Sequence, residues 1–254
     1  MPDPEVPDLQ FEEPRLTALY DEACAGRRDT EFYAGLAARL EAASILDVGC
    51  GTGVLAVLLA AAGHRVTGLD PGAAMLDVAR GRPGGDSVTW LAGDASVAPT
   101  ADFDLAVMTG HVAQVFTDED SWRKTLSEVR RALSPGGRVG FELRHPAARA
   151  WTSWNPEESW RRLTHPVDGP VTAWVETLEV ERELVTFRWS YEFERTGERL
   201  RSTSRLRFPA AATIEHSLHE TGFTVESRHG DWDGTPVGPA SPEMIYVARR
   251  DDAP

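Results

Sequence analysis

Residues 45–70 read ILDVGCGTGVLAVLLAAAGHRVTGLD, which is an apolar strand, a glycine-rich loop, an apolar helix and a second strand in succession. The loop carries Gly49, Gly51 and Gly53, and glycine lets the backbone turn tightly and approach a ligand closely. The helix that follows offers unpaired N–H groups at its N-terminus. The stretch therefore predicts a ligand-binding strand–loop–helix unit at the start of a parallel sheet.

Short apolar strands alternate with amphipathic helices from residue 44 to residue 143. The predicted strands lie near 44–48, 65–69, 88–91, 103–108 and 138–143, and the predicted helices lie near 54–62, 73–80 and 119–133. This alternation is typical of βαβ units around a parallel sheet. We therefore predict an α/β fold with a Rossmann-like, doubly wound sheet.

The second half of the sequence has a different periodicity. Apolar and polar residues alternate strictly from residue 185 to 193 and again from 200 to 208, on either side of a turn at Gly197. Strict alternation predicts an antiparallel hairpin with one buried face. The remaining predicted elements are a helix near 210–221 and two strands near 223–227 and 244–249.

The composition restricts the partners that the chain is expected to bind. Acidic residues outnumber basic ones by 40 to 26, and this surplus disfavours a nucleic-acid partner because phosphate contacts dominate that affinity. No apolar run is long enough to cross a membrane, and the first residues do not resemble a secretory signal. Cys24 and Cys50 form neither a disulfide framework nor a zinc pattern. These features predict a cytoplasmic protein without a membrane partner.

Two kinds of cofactor compete for the glycine loop. Asp70 ends the second strand, where doubly wound folds place an acid that accepts hydrogen bonds from ribose hydroxyls. A dinucleotide loop reads G-x-G-x-x-G, but this loop reads G-x-G-x-G and has Val54 at the third dinucleotide glycine. Asp47 would repel a pyrophosphate, whereas it can orient an ammonium group or a bound water. A nicotinamide-dependent oxidoreductase and a turn without ligand stay open as alternatives.

Further motifs follow the loop in a characteristic order. Gly93-Asp94-Ala95 follows the third strand, FDLAVMTGHVAQVF occupies 103–116 and LSPGGRVGFE occupies 133–142. Together with 45–70, these motifs resemble those of class I S-adenosylmethionine (SAM)-dependent methyltransferases. The resemblance covers about 30–143 well and the final strands loosely. It implies a seven-stranded sheet with an antiparallel last strand, SAM as cofactor and S-adenosylhomocysteine as product.

The resemblance also implies which residues contact SAM. Gly49 and Gly51 would lie along its methionine and ribose, Asp70 would hold the ribose hydroxyls, Asp94 would meet the adenine amino group, and the Thr109 backbone would lie near the methionine amino group. The complete implied set is Tyr20, Tyr33, Asp47, Gly49, Cys50, Gly51, Asp70, Pro71, Met75, Gly93, Asp94, Ala95 and Thr109. Ordinary helix packing is an equally good interpretation of the two tyrosines.

Missing motifs reduce the number of methylation reactions that we expect of this chain. The segment Thr109-Gly110-His111-Val112 lacks the Asn/Asp-Pro-Pro-aromatic turn of enzymes that methylate exocyclic amino groups of bases. Metal-dependent methylation needs converging oxygen ligands. The acidic residues at 118–120 are better interpreted as a solvated helix start. We therefore expect no metal.

Candidate acceptor residues follow the fourth and fifth predicted strands. His145 leaves the fifth strand in FELRHP and is the first candidate for a general base, with His111 as the second. A loop histidine bonded to backbone is the alternative for His145. Arg144 is a candidate clamp for a substrate carboxylate, or a partner of a surface acid, and Trp151 and Trp154 are candidate pocket walls.

These observations predict four regions. They are a helical lead-in over the cofactor site (1–43), a Rossmann-like core (44–147), an antiparallel substrate-binding cap (148–208) and the last core elements (209–254). The cap resembles that of amino-sugar and glycine N-methyltransferases. The expected function is methyl transfer to nitrogen or oxygen of a small molecule in specialised metabolism, with a homodimer left open. A SAM-binding protein without methyl transfer is a further alternative.

Overall fold

The computed structural model describes residues 8–251 and contains two β-sheets. The strands are β1 (Ser44–Val48), β2 (Arg65–Asp70), β3 (Thr89–Ala92), β4 (Phe103–Met108), β5 (Leu133–Arg144), β6 (Arg161–His165), β7 (Gly169–Glu181), β8 (Leu184–Phe193), β9 (Glu198–Arg207), β10 (Phe223–His229) and β11 (Glu243–Arg250). The first sheet has the order β10-β11-β5-β4-β1-β2-β3, and the second has the order β6-β7-β8-β9. Residues 1–7 of the predicted lead-in lie outside the described residues.

The seven-stranded sheet is parallel except for β11, which runs antiparallel to both β5 and β10. This arrangement confirms the predicted α/β class with an antiparallel last strand. Strand β5 begins five residues before its predicted start, since Leu133 already pairs with Phe103 of β4. The carboxyl ends of β1, β2, β4 and β5 share one edge of the sheet, and that edge therefore collects the residues that follow these strands.

Helices cover both faces of this sheet. The helices are α1 (Leu9–Glu12), α2 (Pro14–Thr17), α3 (Tyr20–Ala23), α4 (Asp29–Arg39), α5 (Val54–Ala61), α6 (Ala73–Gly81), α7 (Glu119–Ala132), α8 (Pro156–Ser159) and α9 (Ala211–Glu220). Helix α7 begins at the cap Asp118, whose side chain accepts from Ser121 N at 2.8 Å, and it buries Trp122 and Leu126 against the sheet. Helices α4 and α5 pack on the opposite face. The core thus has the two apolar layers of a doubly wound fold.

The four-stranded sheet forms the cap. Its inner face buries Tyr191 and Phe193 against Leu16 and Leu19 of the N-terminal segment. The same segment bonds to the cap, because Gln10 N donates to Ser202 Oγ at 3.0 Å. Sequence periodicity indicated the β8–β9 hairpin, whereas β6 and β7 were not predicted, although the inward residues of β7 also alternate. Within 8–251, no helix is long and apolar enough to cross a membrane.

Candidate active site

The glycine loop lies between the end of β1 and the start of α5. Gly49 N and Cys50 N donate to Leu69 O of β2 at 2.8 and 3.0 Å, so the loop is fixed to the neighbouring strand. Gly49 has a φ of 71°, and a Cβ built on it would lie 2.6 Å from Val112 Cγ2. Both the left-handed backbone and this close approach require glycine. The loop and the segment after β4 therefore lie directly against each other.

Asp70 lies at the end of β2, beside the glycine loop. Its two carboxylate oxygens accept from Gly51 N and Gly72 N, each at 2.8 Å. Burial raises the pKa of Asp70, and these two backbone N–H groups oppose the shift. Each carboxylate oxygen has a further lone pair that can accept from a hydroxyl. The residue is thus arranged to hold a diol such as that of a ribose.

Asp47 lies at the end of β1 and is 1% exposed. Its Oδ1 is buried and has no hydrogen-bond partner among the described residues. Burial raises the pKa of Asp47 to about 7, and the Arg27 guanidinium opposes that shift. A buried carboxylate oxygen without a partner is costly, and a donor brought by a ligand would satisfy it. The donor chemistry fits the ammonium group of the SAM methionine.

The residues predicted to contact adenine lie after β3. Asp94 caps the 3-10 helix Ala95–Val97, since its Oδ1 accepts from Ser96 N at 2.9 Å. The bonds from Ser96 lower the pKa of Asp94, so the carboxylate is ionised at neutral pH. Gly93 N donates to Asp70 O at 3.1 Å and holds this turn beside β2. Met75 is buried, and Pro71 is exposed at the start of the α6 turn.

The N-terminal segment contacts the glycine loop. Asp21 accepts from Thr52 Oγ1 at 2.5 Å and pairs with Arg82, which ties α3 to the glycine loop. Tyr20 packs edge-on against Phe11 with ring centroids 5.9 Å apart. Asp70 contributes to raising the pKa of Tyr20, so the two side chains are within electrostatic reach of each other. Tyr20 thus remains close to the predicted ribose site.

Two of the predicted contact residues have other contacts in the structure. Tyr33 is 0% exposed, and its hydroxyl donates to Glu142 Oε2 at 2.6 Å beneath the β5 strand. Tyr33 therefore supports Glu142 from the core, which corrects the expectation that it covers the cofactor. The thiol of Cys50 is half-buried, and burial raises its pKa, so only its backbone belongs to the loop surface.

His111 lies in the segment after β4 and has a left-handed backbone with a φ of 65°. Its backbone N–H donates to Glu142 Oε1 at 2.8 Å. Its Nε2 lies 3.1 and 3.2 Å from the two carboxylate oxygens of Glu243, at the start of β11. Strain in a non-glycine residue persists only where its surroundings hold it, and such residues cluster at functional sites. Two glutamates hold His111 in this conformation.

Burial shifts both members of this pair toward their neutral forms. The pKa of His111 is lowered to about 3, first by burial and then by the Arg144 guanidinium. The pKa of Glu243 is raised to about 7, again first by burial, and Arg144 opposes that shift. At neutral pH the imidazole is therefore uncharged. A neutral imidazole beside a carboxylate has the composition of a general base and its orienting group.

His145 has a more peripheral position. Its ring Nδ1 accepts from Ala147 N at 3.1 Å and so caps the 3-10 helix Pro146–Ala148. The backbone N–H of His145 donates to Pro242 O at 2.8 Å. Burial and the Arg228 guanidinium lower the pKa of His145. The structure thus gives the histidine expected to be the first base a capping contact, and it places His111 in the polar cluster instead.

The predicted acceptor residues lie between the core and the cap. Arg144 Nη1 donates to Gln114 Oε1 at 3.2 Å, and its guanidinium lies 5.5 Å from the centroid of the Trp154 ring. Trp154 packs against Phe187 of β8 with ring centroids 4.8 Å apart. Trp151 packs against Phe208 at 4.6 Å. The structure thus brings Arg144, Trp151 and Trp154 together next to the cap sheet.

Sequence reasoning missed several polar groups of this cluster. Arg27 and Asp29 form an ion pair below Gly110, and Glu243 reaches the cluster from the last strand. Only the register that pairs Glu243 with Arg144 brings it there, and no local pattern indicates that register. Among the described residues, no group of three or more His, Cys, Asp or Glu side chains is arranged to hold a metal ion.

Sequence comparison with known proteins finds a methyltransferase domain in this chain and methyltransferases among its relatives. A family described as "Methyltransferase domain" matches residues 45–137. A malonyl-[acyl-carrier protein] O-methyltransferase from Serratia marcescens is 28% identical over 214 residues, which are 83% of this chain and 76% of that enzyme. The family match at 45–137 contains the glycine loop, Asp70, Asp94 and His111.

The fold is shared with solved structures at lower identity. A SAM-dependent methyltransferase from Clostridium acetobutylicum has a TM-score of 0.74 at 18% identity, with 91% of this chain and 96% of that chain covered. A sugar N-methyltransferase from Streptoalloteichus has a TM-score of 0.70 at 17% identity, with 91% and 92% covered. The chain thus contains a methyltransferase domain at residues 45–137, and its fold is that of SAM-dependent methyltransferases.

Proposed function

We propose that this enzyme transfers the methyl group of SAM to a nitrogen or oxygen of a small molecule bound between the core and the cap, in specialised metabolism. The observation that carries the proposal is the position of His111 at the carboxyl edge of the sheet, where its backbone N–H donates to Glu142 and its Nε2 lies 3.1 Å from a Glu243 oxygen. Relatives named for oxygen and for sugar-nitrogen methylation support either acceptor atom.

The chain's own residues suit each part of the cofactor. Asp47 would accept from the methionine ammonium group through its unpartnered oxygen, and Asp70 would accept from the ribose hydroxyls. Asp94 would accept from the adenine amino group through Oδ2, because both bonds from Ser96 go to Oδ1. Gly49, Gly51, Pro71, Met75, Gly93, Ala95 and Thr109 would supply the backbone and apolar surface around these contacts. When bound, SAM supplies an activated methyl group on a sulfonium.

His111 would take the proton that the acceptor loses. When Nε2–H donates to the Glu243 carboxylate, Nδ1 carries the lone pair and faces no other partner among the described side chains. Methyl transfer from the bound sulfonium would join the methyl carbon to the acceptor oxygen or nitrogen and leave S-adenosylhomocysteine, and the proton that the acceptor loses would pass to Nδ1 of His111. Ionised Glu243 would stabilise the resulting imidazolium, which burial disfavours, as the orienting acid does in other His–carboxylate pairs. His145 is the second candidate for this role.

Proximity supplies most of the remaining rate enhancement. An in-line displacement on an activated carbon is accelerated mainly by holding donor and acceptor collinear in a site that excludes water. The N-terminal segment, which Asp21 ties to the glycine loop, would close one side of the site, and the aromatic residues Trp151 and Trp154 would close another. This enclosure suits a small acceptor.

The test is release of S-adenosylhomocysteine by the purified protein from SAM and a panel of amino sugars, amines and hydroxy acids. We expect at least one class of acceptor to raise release above the rate without acceptor. His111→Asn should lower kcat by about 100-fold, within the range of general-base catalysis, with SAM affinity retained. His145→Asn tests the second candidate, and His216→Asn, at an exposed position of α9, is the matched control. A protein that binds SAM but methylates no member of the panel would contradict the proposal and favour SAM binding without transfer.

A further inference from the structure

Two half-buried arginines, one at the end of the core strand β5 and one at the start of the cap strand β6, lack an acidic partner within ion-pair distance among the described residues. Arg144 ends β5 and hydrogen-bonds through its side chain to Gln114 Oε1. Arg161 begins β6, and its guanidinium donates to the backbone oxygens of Ala23 and Ser159. Over residues 8–251, neither guanidinium has a carboxylate oxygen within 4.0 Å. Both side chains are half-buried, so a positive charge without a counter-charge is energetically costly at these two positions.

Neighbouring arginines of the cap behave differently. Arg162, the next residue along β6, pairs with Glu194 at 2.8 Å on the outer face. Arg188 of β8 likewise pairs with Glu176 at 2.9 Å. The sequence thus provides glutamates for arginines on the outer face of this sheet. The arginines that face inward have been left without them.

The two inward guanidinium groups lie on the same aromatic surface. Arg144 lies 5.5 Å from the Trp154 ring centroid, and Arg161 lies 5.1 Å from the Trp189 ring centroid. Trp154 packs on Phe187, which precedes Trp189 by two residues on the same face of β8. Two residues along a strand span about 7 Å. The two guanidinium groups therefore lie near neighbouring side chains on one face of β8, Arg161 at Trp189 itself and Arg144 through Trp154.

The acids nearest to this surface are already engaged. Glu142 accepts from the Tyr33 hydroxyl and from His111 N, and Glu243 contacts the His111 ring. Burial lowers the pKa of Arg144, and the Glu243 and Glu142 carboxylates oppose that shift although neither lies within 4.0 Å of the guanidinium. Cys24 follows Ala23, whose backbone oxygen accepts from Arg161, and the Cys24 thiol contributes to the pKa of Arg144, so Cys24 lies near both cations. An anion there would offset both charges.

We propose that the methyl acceptor carries an anionic oxygen group, a carboxylate or a phosphate, which is held between Arg144 and Arg161 against Trp154 and Trp189. Guanidinium groups bind such anions through paired, charge-assisted hydrogen bonds. Stacking on the tryptophan rings keeps both side chains extended before the anion arrives. This inference rests on the proposed function, and it adds the chemical class of the acceptor.

The experiment measures anion binding to the protein loaded with S-adenosylhomocysteine, by calorimetry at low ionic strength. The carboxylate arm compares succinate with succinamide, and the phosphate arm compares glycerol 3-phosphate with glycerol. We expect the anion of one arm to bind and its neutral analogue not to bind. Arg144→Gln and Arg161→Gln should each weaken that affinity by about tenfold, because each removes a charge-assisted contact.

Arg162→Gln is the matched control, because Arg162 lies on the outer face of the same strand and is exposed. It should leave anion affinity unchanged. Affinity for S-adenosylhomocysteine, measured on every variant, checks that the fold is intact, and Arg144→Lys should fall between the native protein and Arg144→Gln. No anion binding in either arm, equal binding of a neutral analogue, or equal affinity in all variants would overturn the inference. Methylation of an uncharged acceptor would separately support the proposed function alone.

Discussion

His111 combines a left-handed backbone, a buried ring and a carboxylate partner, and each feature has a separate consequence. The backbone conformation costs of order 1–3 kcal/mol for a non-glycine residue and must be offset by its surroundings. The N–H bond to Glu142 supplies part of that stabilisation. The ring then lies where the segment after β4 meets the last strand. At the scale of single residues, this is the arrangement with the strongest consequence for the reaction.

The pH dependence of kcat should follow the ionisation of the Glu243 carboxyl group. Its pKa is raised to about 7 in the folded protein, so it is protonated below that pH and cannot stabilise an imidazolium. The His111 pKa of about 3 keeps its ring neutral across the same range. With SAM and acceptor saturating, kcat should fall as the pH decreases through about 7. Glu243→Gln should lower the plateau and remove this pH dependence, and a dependence that persists in the variant would contradict the assignment.

The pH dependence of cofactor affinity should follow the ionisation of the Asp47 carboxyl group. Its pKa of about 7 in the unliganded protein means that acidification protonates the carboxylate, which then competes with binding of an ammonium group. Affinity for S-adenosylhomocysteine should therefore weaken as the pH decreases from about 7.5 to 5.5. Asp47→Asn should weaken binding by about tenfold at neutral pH and remove the dependence. Calorimetric titration over this range measures both effects, and an unchanged slope in the variant would exclude Asp47 as the site.

At the scale of elements, the glycine loop is defined by its contact with the segment after β4. A Cβ at Gly49 meets Val112 at 2.6 Å, whereas a Cβ at Gly63, in the turn before β2, meets nothing within 4 Å. Both glycines have a positive φ, so alanine brings backbone strain at either position. Comparing alanine substitutions at Gly49 and Gly63 therefore separates the cost of backbone strain from the cost of steric overlap with Val112. It also tests whether the two loops act as one binding element.

Gly49→Ala should destabilise the protein by more than Gly63→Ala. Strain alone costs about 1–2 kcal/mol at each site, and the overlap with Val112 adds an overpacking cost of about 1–3 kcal/mol at Gly49 only. Denaturant unfolding measures the difference. Only Gly49→Ala should also weaken binding of S-adenosylhomocysteine. Equal losses of stability at the two positions would show that Val112 moves aside freely.

At the scale of the whole molecule, the N-terminal segment joins the cap to the core. Leu19 is 0% exposed and packs in the apolar cluster under the cap sheet, whereas Leu9 is 42% exposed. Arg15 adds ion pairs to Asp168 at 3.1 Å and to Glu198 at 2.9 Å, and Asp21 contacts the glycine loop on the other side. The segment is thus shared between the seven-stranded sheet, which carries the glycine loop, and the four-stranded cap sheet.

Leu19→Ala should cost about 2–5 kcal/mol of the free energy of unfolding, the range for a buried leucine. It should also make the cap more sensitive to protease than the core, because the cluster under the cap loses its apolar support. Leu9→Ala is the matched control and should change stability by less than about 0.5 kcal/mol. Thermal unfolding and limited proteolysis measure both outcomes. Equal effects of the two substitutions would contradict a joining role for the segment.

Much of the core was predictable because its signals are local. The apolar runs of β1, β2 and β4, the glycine spacing and Asp70 lie within short stretches, and each stretch determines its own backbone conformation. Strands β6 and β7 were missed because prolines and tryptophans around them mask the alternation. Tyr33 was placed over the cofactor because its position on an amphipathic helix does not tell which layer of the core receives its ring.

Local patterns predicted the strands of the parallel sheet, the glycine loop and the acids that follow β1, β2 and β3, because each of these signals lies within a short stretch of sequence. Which histidine meets a carboxylate depends on the folded chain, because His111 and Glu243 are 132 residues apart and are joined by the register of β11 on β5. The same holds for Arg144 and Arg161, which lie on one aromatic surface only after the cap has folded onto the core. Contacts of this kind depend on strand register and layer packing, which no local pattern in the sequence records.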